Sequence, residues 1–146
     1  MRKTRALVTA VVLLATAAAG VATVQVVTVD GDSMMPTLHN GQFVLAVRRA
    51  GRPRVGDIVL IRRDRDILVK RVAYLPSQQV APLDLPLFAR CSDYFEAGRR
   101  PHSLRVPAGR VVVMGDNRAN SDDSRRFGPV RMADVVGRVI AVSPFP

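Results

Sequence analysis

Asp66-Ile67-Leu68-Val69-Lys70-Arg71-Val72-Ala73-Tyr74 decides the fold of this chain. The run is rich in β-branched and aromatic residues, and its apolar positions recur with period two, which suits a strand. Alternation puts Leu68, Lys70, Val72 and Tyr74 on one face, so a lysine is expected on an apolar, buried surface. Working outward, similar short runs occur at 24–29, 43–47, 57–61, 67–74, 110–114 and 135–142, separated by Gly, Pro and Asp. Gly51, Pro53, Gly56 and Asp57 mark a turn, and residues 63–66 mark another. The pattern predicts an all-β fold, a compact and mostly antiparallel β domain, with no amphipathic helix. Residues 76–107 carry Pro76, Pro82, Pro86, Pro101 and Pro107, and an irregular excursion without a second core is expected there. No internal repeat is present.

The first thirty residues differ from the rest. Arg2, Lys3 and Arg5 precede an uncharged apolar run over residues 6–24. As a helix it would span about 28 Å, close to the hydrocarbon thickness of about 30 Å. The positive cluster before it predicts a cytoplasmic N-terminus at 1–5, a single transmembrane anchor at 6–24, and an extracytoplasmic domain at 25–146. A cleaved secretory signal is the alternative, given Ala17, Ala18 and Ala19. The apolar run is longer than such a core and continues into Val26 and Val27, which favours a retained anchor at the cell membrane.

The chain has 146 residues and a formal net charge of +10, from 22 basic and 12 acidic residues. Nucleic acid is not the expected partner, because the basic residues are scattered among acids and no aromatic stacking platform accompanies them. A basic surface beside anionic membrane lipid is expected instead. Of the basic residues only Lys3 and Lys70 are lysines. A chain that otherwise uses arginine keeps one lysine beyond its apolar segment, and lysine alone of the two has an accessible neutral form. Cys91 is the only cysteine, and with His39 and His102 it gives no zinc spacing, so no metal or cofactor is expected.

Three segments carry candidate chemistry. Val29-Asp30-Gly31-Asp32-Ser33-Met34-Met35-Pro36-Thr37-Leu38 is a turn that presents Ser33, with successive N–H groups able to polarise a carbonyl. An ordinary Gly/Asp turn reads the same way. Burial of Lys70 lowers its pKa, and a neutral lysine can take a serine proton near neutral pH. A lysine reaching the surface from an edge strand is the plainer alternative. Residues 114–130, from Met114-Gly115-Asp116-Asn117 through Ser121, Asp123, Ser124 and Arg125 to Phe127-Gly128-Pro129, form a polar turn that could hold such a lysine or simply cap itself. A histidine base is disfavoured, since His39 follows Ser33 too closely and His102 lies in the excursion.

At these residues the chain resembles the type I signal peptidases, membrane-bound Ser-Lys proteases. Gly31-Asp32-Ser33-Met34 with Pro36-Thr37-Leu38 is similar to their nucleophile box, Lys70-Arg71-Val72 to the box of the lysine base, and the 115–129 segment to their C-terminal box. The resemblance implies Ser33 as nucleophile and Lys70 as general base. It also implies that Ser121 positions the lysine, that Asp123 and Arg125 form a supporting salt bridge, and that Met34 and Pro36 lie against substrate. Gly31 stands where some relatives have a hydroxyl donor, so backbone N–H groups, chiefly that of Ser33, are implied to form the oxyanion site. Gly41-Gln42 departs from the usual Gly-Asp, and only 44 residues separate Lys70 from Gly115, leaving little room for an accessory subdomain.

The implied substrate is a signal-peptide-bearing precursor with small side chains at the first and third positions before the cut, paired to an edge strand. Three other readings share some of these residues: a maturation protease dedicated to one precursor, a repressor-type Ser-Lys autoprotease, and an inactive membrane-anchored binding module. The apolar N-terminal run and the 115–129 box weigh against the second, and the presence of every catalytic residue type weighs against the third.

Overall fold

A computed structural model of the chain describes residues 10–12, 23–48, 51–98 and 103–144. One eight-stranded sheet dominates it. Its strands are β1 (Ala10–Val12), β2 (Val24–Thr28), β3 (Phe43–Val47), β4 (Ile58–Arg63), β5 (Asp66–Tyr74), β8 (Arg110–Met114), β9 (Val130–Arg131) and β10 (Val135–Val142). The order is β1-β2-β3-β10-β4-β5-β8-β9, and each neighbouring pair is antiparallel. The six runs expected from the sequence are all strands, displaced at their ends by at most two residues. A separate pair, β6 (Glu96–Ala97) and β7 (Leu104–Arg105), belongs to the excursion.

The middle of the sheet is covered on both faces. On β4, Leu60 joins a cluster with Val27, Met34, Leu38, Val44, Ala46 and Val69, while Val59 and Ile61 join Val72, Val111 and Val113. Double coverage explains why β4 and β8 read as continuous apolar runs rather than strict alternations. Lys70 pairs across the sheet with Val59 and Leu68 with Ile61, so both stand on the face of the second cluster, beside Val72. Tyr74 does not share that face. The β5–β8 register shifts between Val72 and Tyr74, and Tyr74 packs with the Val112 cluster on the opposite side. An extra residue in one strand reverses every side chain beyond it, which period-two reading of a sequence cannot foresee.

The excursion also differs from expectation. Pro82–Tyr94 forms a run of 3-10 turns broken at Cys91, and Val80, Phe88, Cys91, Phe95 and Val106 close a third apolar cluster against Val112 and Met114 of β8. Phe88 and Phe95 pack with ring centroids 5.2 Å apart. The segment therefore builds a small core of its own. Its apolar residues follow neither a helical nor a strand period, because 3-10 turns and proline-fixed bends set their directions.

The anchor expected over 6–24 lies mostly outside the described residues. Of that stretch, Ala10–Val12 pair as a strand with Val27, Val26 and Gln25 of β2, where a continuous helix was expected. Val11 and Val12 are β-branched and accept an extended backbone readily. No helix among the described residues is long and apolar enough to cross a membrane.

Candidate active site

Ser33 sits in the turn that leaves β2. Gly31 has φ 89°, a left-handed conformation suited to glycine, and its N–H donates to Asn40 Oδ1 at 2.8 Å. Met35 N donates to the Asp32 carbonyl at 3.2 Å, and Leu38 N to the Met34 carbonyl at 2.9 Å. Met34 and Leu38, at 1% and 0% exposure, root this turn in the first apolar cluster, leaving Ser33 half-buried above it. Met34 thus packs beneath the serine, as its apolar bulk favours. Pro36 is exposed.

Lys70 reaches Ser33 from the middle of β5. Its Nζ lies 2.7 Å from Ser33 Oγ, and the residue is 3% exposed. Burial pushes the ammonium down from 10.5 to about 8, against an upward pull from Asp123 and Asp122, while Arg125 adds to the lowering. When protonated the amine donates to Ser33 Oγ; when neutral it can accept the hydroxyl proton across the same contact.

The segment after β8 closes over this pair. A Cβ placed on Gly115 would lie 2.5 Å from the Ser33 carbonyl oxygen and 2.2 Å from Ser121 Oγ, so only glycine fits between them. Ser121 Oγ is buried and makes no hydrogen bond of good geometry, although it lies near enough to Asp123 to favour the ionised carboxylate.

Asp123 is fully buried. It caps the short helix α1 (Ser124–Phe127), its Oδ1 accepting from Arg125 N at 3.1 Å and from Arg125 Nε at 2.8 Å. Oδ2 accepts from Arg125 Nη2 at 2.8 Å and from Gly115 N at 3.0 Å. Burial alone would raise this carboxyl. The Arg125 guanidinium and the Gly115 N–H outweigh it and hold the carboxyl below its usual range. The Asp123–Arg125 pair expected from the sequence is therefore an ion pair with a fully buried carboxylate, both of whose oxygens are used, and a partly exposed guanidinium.

A second ion pair was not anticipated. Arg71 Nε and Nη2 donate to Asp116 Oδ1 and Oδ2 at 2.9 and 2.7 Å, while Nη1 donates to the Gly56 carbonyl and Nη2 to Thr37 Oγ1. One guanidinium thus ties the serine turn to β5 and to the 115–117 segment. The adjacency of Arg71 to Lys70 and of Asp116 to Gly115 was the available signal; it gives no direction without the fold. Asn117 also contacts the serine turn, through its backbone N to the Ser33 carbonyl at 3.0 Å and its Nδ2 to the Asp32 carbonyl at 3.1 Å.

His39 is exposed and makes no hydrogen bond to Ser33 among the described residues, and His102 lies outside them. Among the described residues, no group of three His, Cys, Asp or Glu side chains is arranged to hold a metal ion.

A family model described as signal peptidase, peptidase S26, matches residues 1–87 and 82–143, which include every side chain of this site. This chain belongs to that family. It is a serine endopeptidase of the signal peptidase I type. The peptidase is 32% identical to a signal peptidase I of Bacillus caldolyticus, over 76% of its own chain and 74% of the relative. It is 34% identical to mitochondrial inner membrane protease subunit 1 of Schizosaccharomyces pombe, over 84% and 75%. With mitochondrial ATP-independent inner membrane protease subunit 1a of Arabidopsis thaliana it shares 35% identity, over 77% and 66%. A solved signal peptidase I of Enterococcus faecalis is 28% identical, with a TM-score of 0.42, covering 62% of this chain and 98% of that one.

Proposed function

We propose that this peptidase removes signal peptides from exported precursors, with Ser33 as nucleophile and Lys70 as general base. The observation that carries the reading is the 2.7 Å contact between Lys70 Nζ and Ser33 Oγ, made by a lysine whose burial brings it to about 8. Neutral Lys70 takes the Ser33 proton as Oγ attacks the scissile carbonyl, and backbone N–H groups hold the oxyanion. The protonated lysine then gives its proton to the leaving amine. Water, deprotonated by the same amine, attacks the acyl-enzyme and frees Ser33. Ser121 keeps the amine in line, and Asp123 with Arg125 fixes the segment that carries Ser121. Pro36 borders the substrate channel, while Met34 supports Ser33 from below.

The peptidase acts at the cell membrane, with residues 1–5 cytoplasmic, 25–146 outside and 6–24 as an anchor whose insertion requires Ala10–Val12 to leave β2. The orientation is supported by the charge asymmetry of the N-terminus, and the membrane location by relatives named inner membrane proteases. The exposed apolar side chains Phe43 and Leu45 of β3 and Ile140 of β10, on strands close to β2, suit contact with membrane lipid. A second reading, a maturation protease serving one precursor, draws on the same relatives and has identical chemistry.

The test is cleavage of a signal-bearing precursor by the full chain in detergent, followed by sequencing of the new N-terminus. A cut after small residues at the first and third positions, lost in Ser33→Ala, is the expected result. Cleavage that survives Ser33→Ala overturns the assignment. Depleting the peptidase and counting the precursors that accumulate separates a general from a dedicated enzyme.

A further inference from the structure

We propose that Asn117 is a positioning residue for the oxyanion site, fixing the direction of the Ser33 N–H through the carbonyl of Asp32. This deepens the Ser33 reading and rests on it. The N–H of an attacking serine is the donor nearest the carbonyl that its own Oγ approaches, so its direction decides how well the developing charge is held. That N–H belongs to the same planar peptide unit as the Asp32 carbonyl. Whatever holds one end of the unit aims the other.

Two donors hold that carbonyl. Met35 N supplies one at 3.2 Å, as part of the turn itself, and Asn117 Nδ2 supplies the other at 3.1 Å, from a segment 85 residues away. The carbonyl can only accept, which assigns the amide nitrogen of Asn117 to this side. The backbone N–H of Asn117 meanwhile donates to the Ser33 carbonyl at 3.0 Å. Asn117 therefore grips the peptide units on both sides of the nucleophile. Among the described residues no acceptor engages the Ser33 N–H, which leaves it available to substrate. Two hydrogen bonds to one carbonyl also polarise its amide and strengthen the opposite N–H as a donor. With Gly31 offering no side-chain hydroxyl, backbone geometry has more to do here.

The side-chain contact can be removed while the backbone contact stays. Asn117→Ala deletes the donor, and Asn117→Leu keeps a similar volume with neither donor nor charge. The full chain in detergent is assayed on an extended peptide with Ala at the first and third positions before the cut, beside Ser33→Ala and Lys70→Arg. Both Asn117 variants are expected to lose kcat by roughly tenfold, less than the loss from deleting a direct oxyanion donor. KM should stay within about twofold and the acid limb of the pH profile should not move, because a transition-state contact is lost and not a binding or base function. A kcat within about twofold of wild type in Asn117→Leu, or a loss expressed in KM or in the acid limb, overturns the inference. Activity in Ser33→Ala or Lys70→Arg would instead overturn the underlying Ser-Lys reading, so the two failures are distinct.

Discussion

Lys70 Nζ and Ser33 Oγ stand 2.7 Å apart although 37 residues separate them in sequence, one on the central strand β5 and the other on the turn after β2. The contact joins a side chain buried by the sheet to one left accessible above it. Ser33→Ala and Lys70→Arg should each abolish cleavage of a signal-bearing precursor while the folded domain persists, as read by circular dichroism. Arginine keeps the charge and has no neutral form at working pH, so near-normal turnover in Lys70→Arg would exclude lysine as the base.

The pH profile follows from the same burial. With Lys70 brought to about 8, kcat/KM should rise with pH and level off above about 8. An acid limb near the histidine range of about 6.5, abolished by His39→Ala or His102→Ala, would contradict the assignment.

Burial of Lys70 also carries a stability cost with a definite sign. Its unfolded value of 10.5 exceeds the folded value of about 8, so the unfolded chain binds the proton more tightly. The penalty is full below about 8, on the order of 3 kcal/mol, and fades as pH climbs toward 10.5. Lys70→Met should therefore raise Tm at pH 7, and the gain should shrink by pH 10. A gain that does not depend on pH would assign the effect to packing alone.

Asp123 behaves in the opposite sense. Its carboxyl lies below the usual carboxylate range, so its contribution is complete above the unfolded value and is lost as pH falls through the folded one. Asp123→Ala leaves the Gly115 N–H and the Arg125 guanidinium without their acceptor and should cost about 3–5 kcal/mol, measured by urea unfolding. A cost below about 1 kcal/mol would show the pair to be dispensable.

Gly115 and Ser121 separate geometry from stability. Gly115→Ala drives a Cβ to within 2.5 Å of the Ser33 carbonyl oxygen and should lower kcat/KM at least a hundredfold. Ser121→Ala removes a hydroxyl that makes no hydrogen bond of good geometry, so urea unfolding should show little loss while kcat falls. Full activity in Ser121→Ala would leave the lysine without need of that hydroxyl.

The sequence by itself determined six of the strands and the residue types that meet at the candidate site. Period-two alternation and turn residues are local signals, and they locate β2, β3, β4, β5, β8 and β10 within two residues. The single lysine beyond the apolar run, the Ser33 turn and the 115–129 segment were likewise legible, because each is a contiguous pattern. What only the tertiary structure decided is everything that depends on register or on distant segments meeting. The shift between Val72 and Tyr74 moves Tyr74 away from Lys70, and 3-10 turns fold residues 82–94 into a small core. Met34 roots the serine turn in the first apolar cluster, and Arg71 and Asn117 bind that turn to segments that the sequence leaves far apart. Hydrogen-bond direction and burial belong to the assembled sheet, where each strand's partners come from elsewhere in the chain.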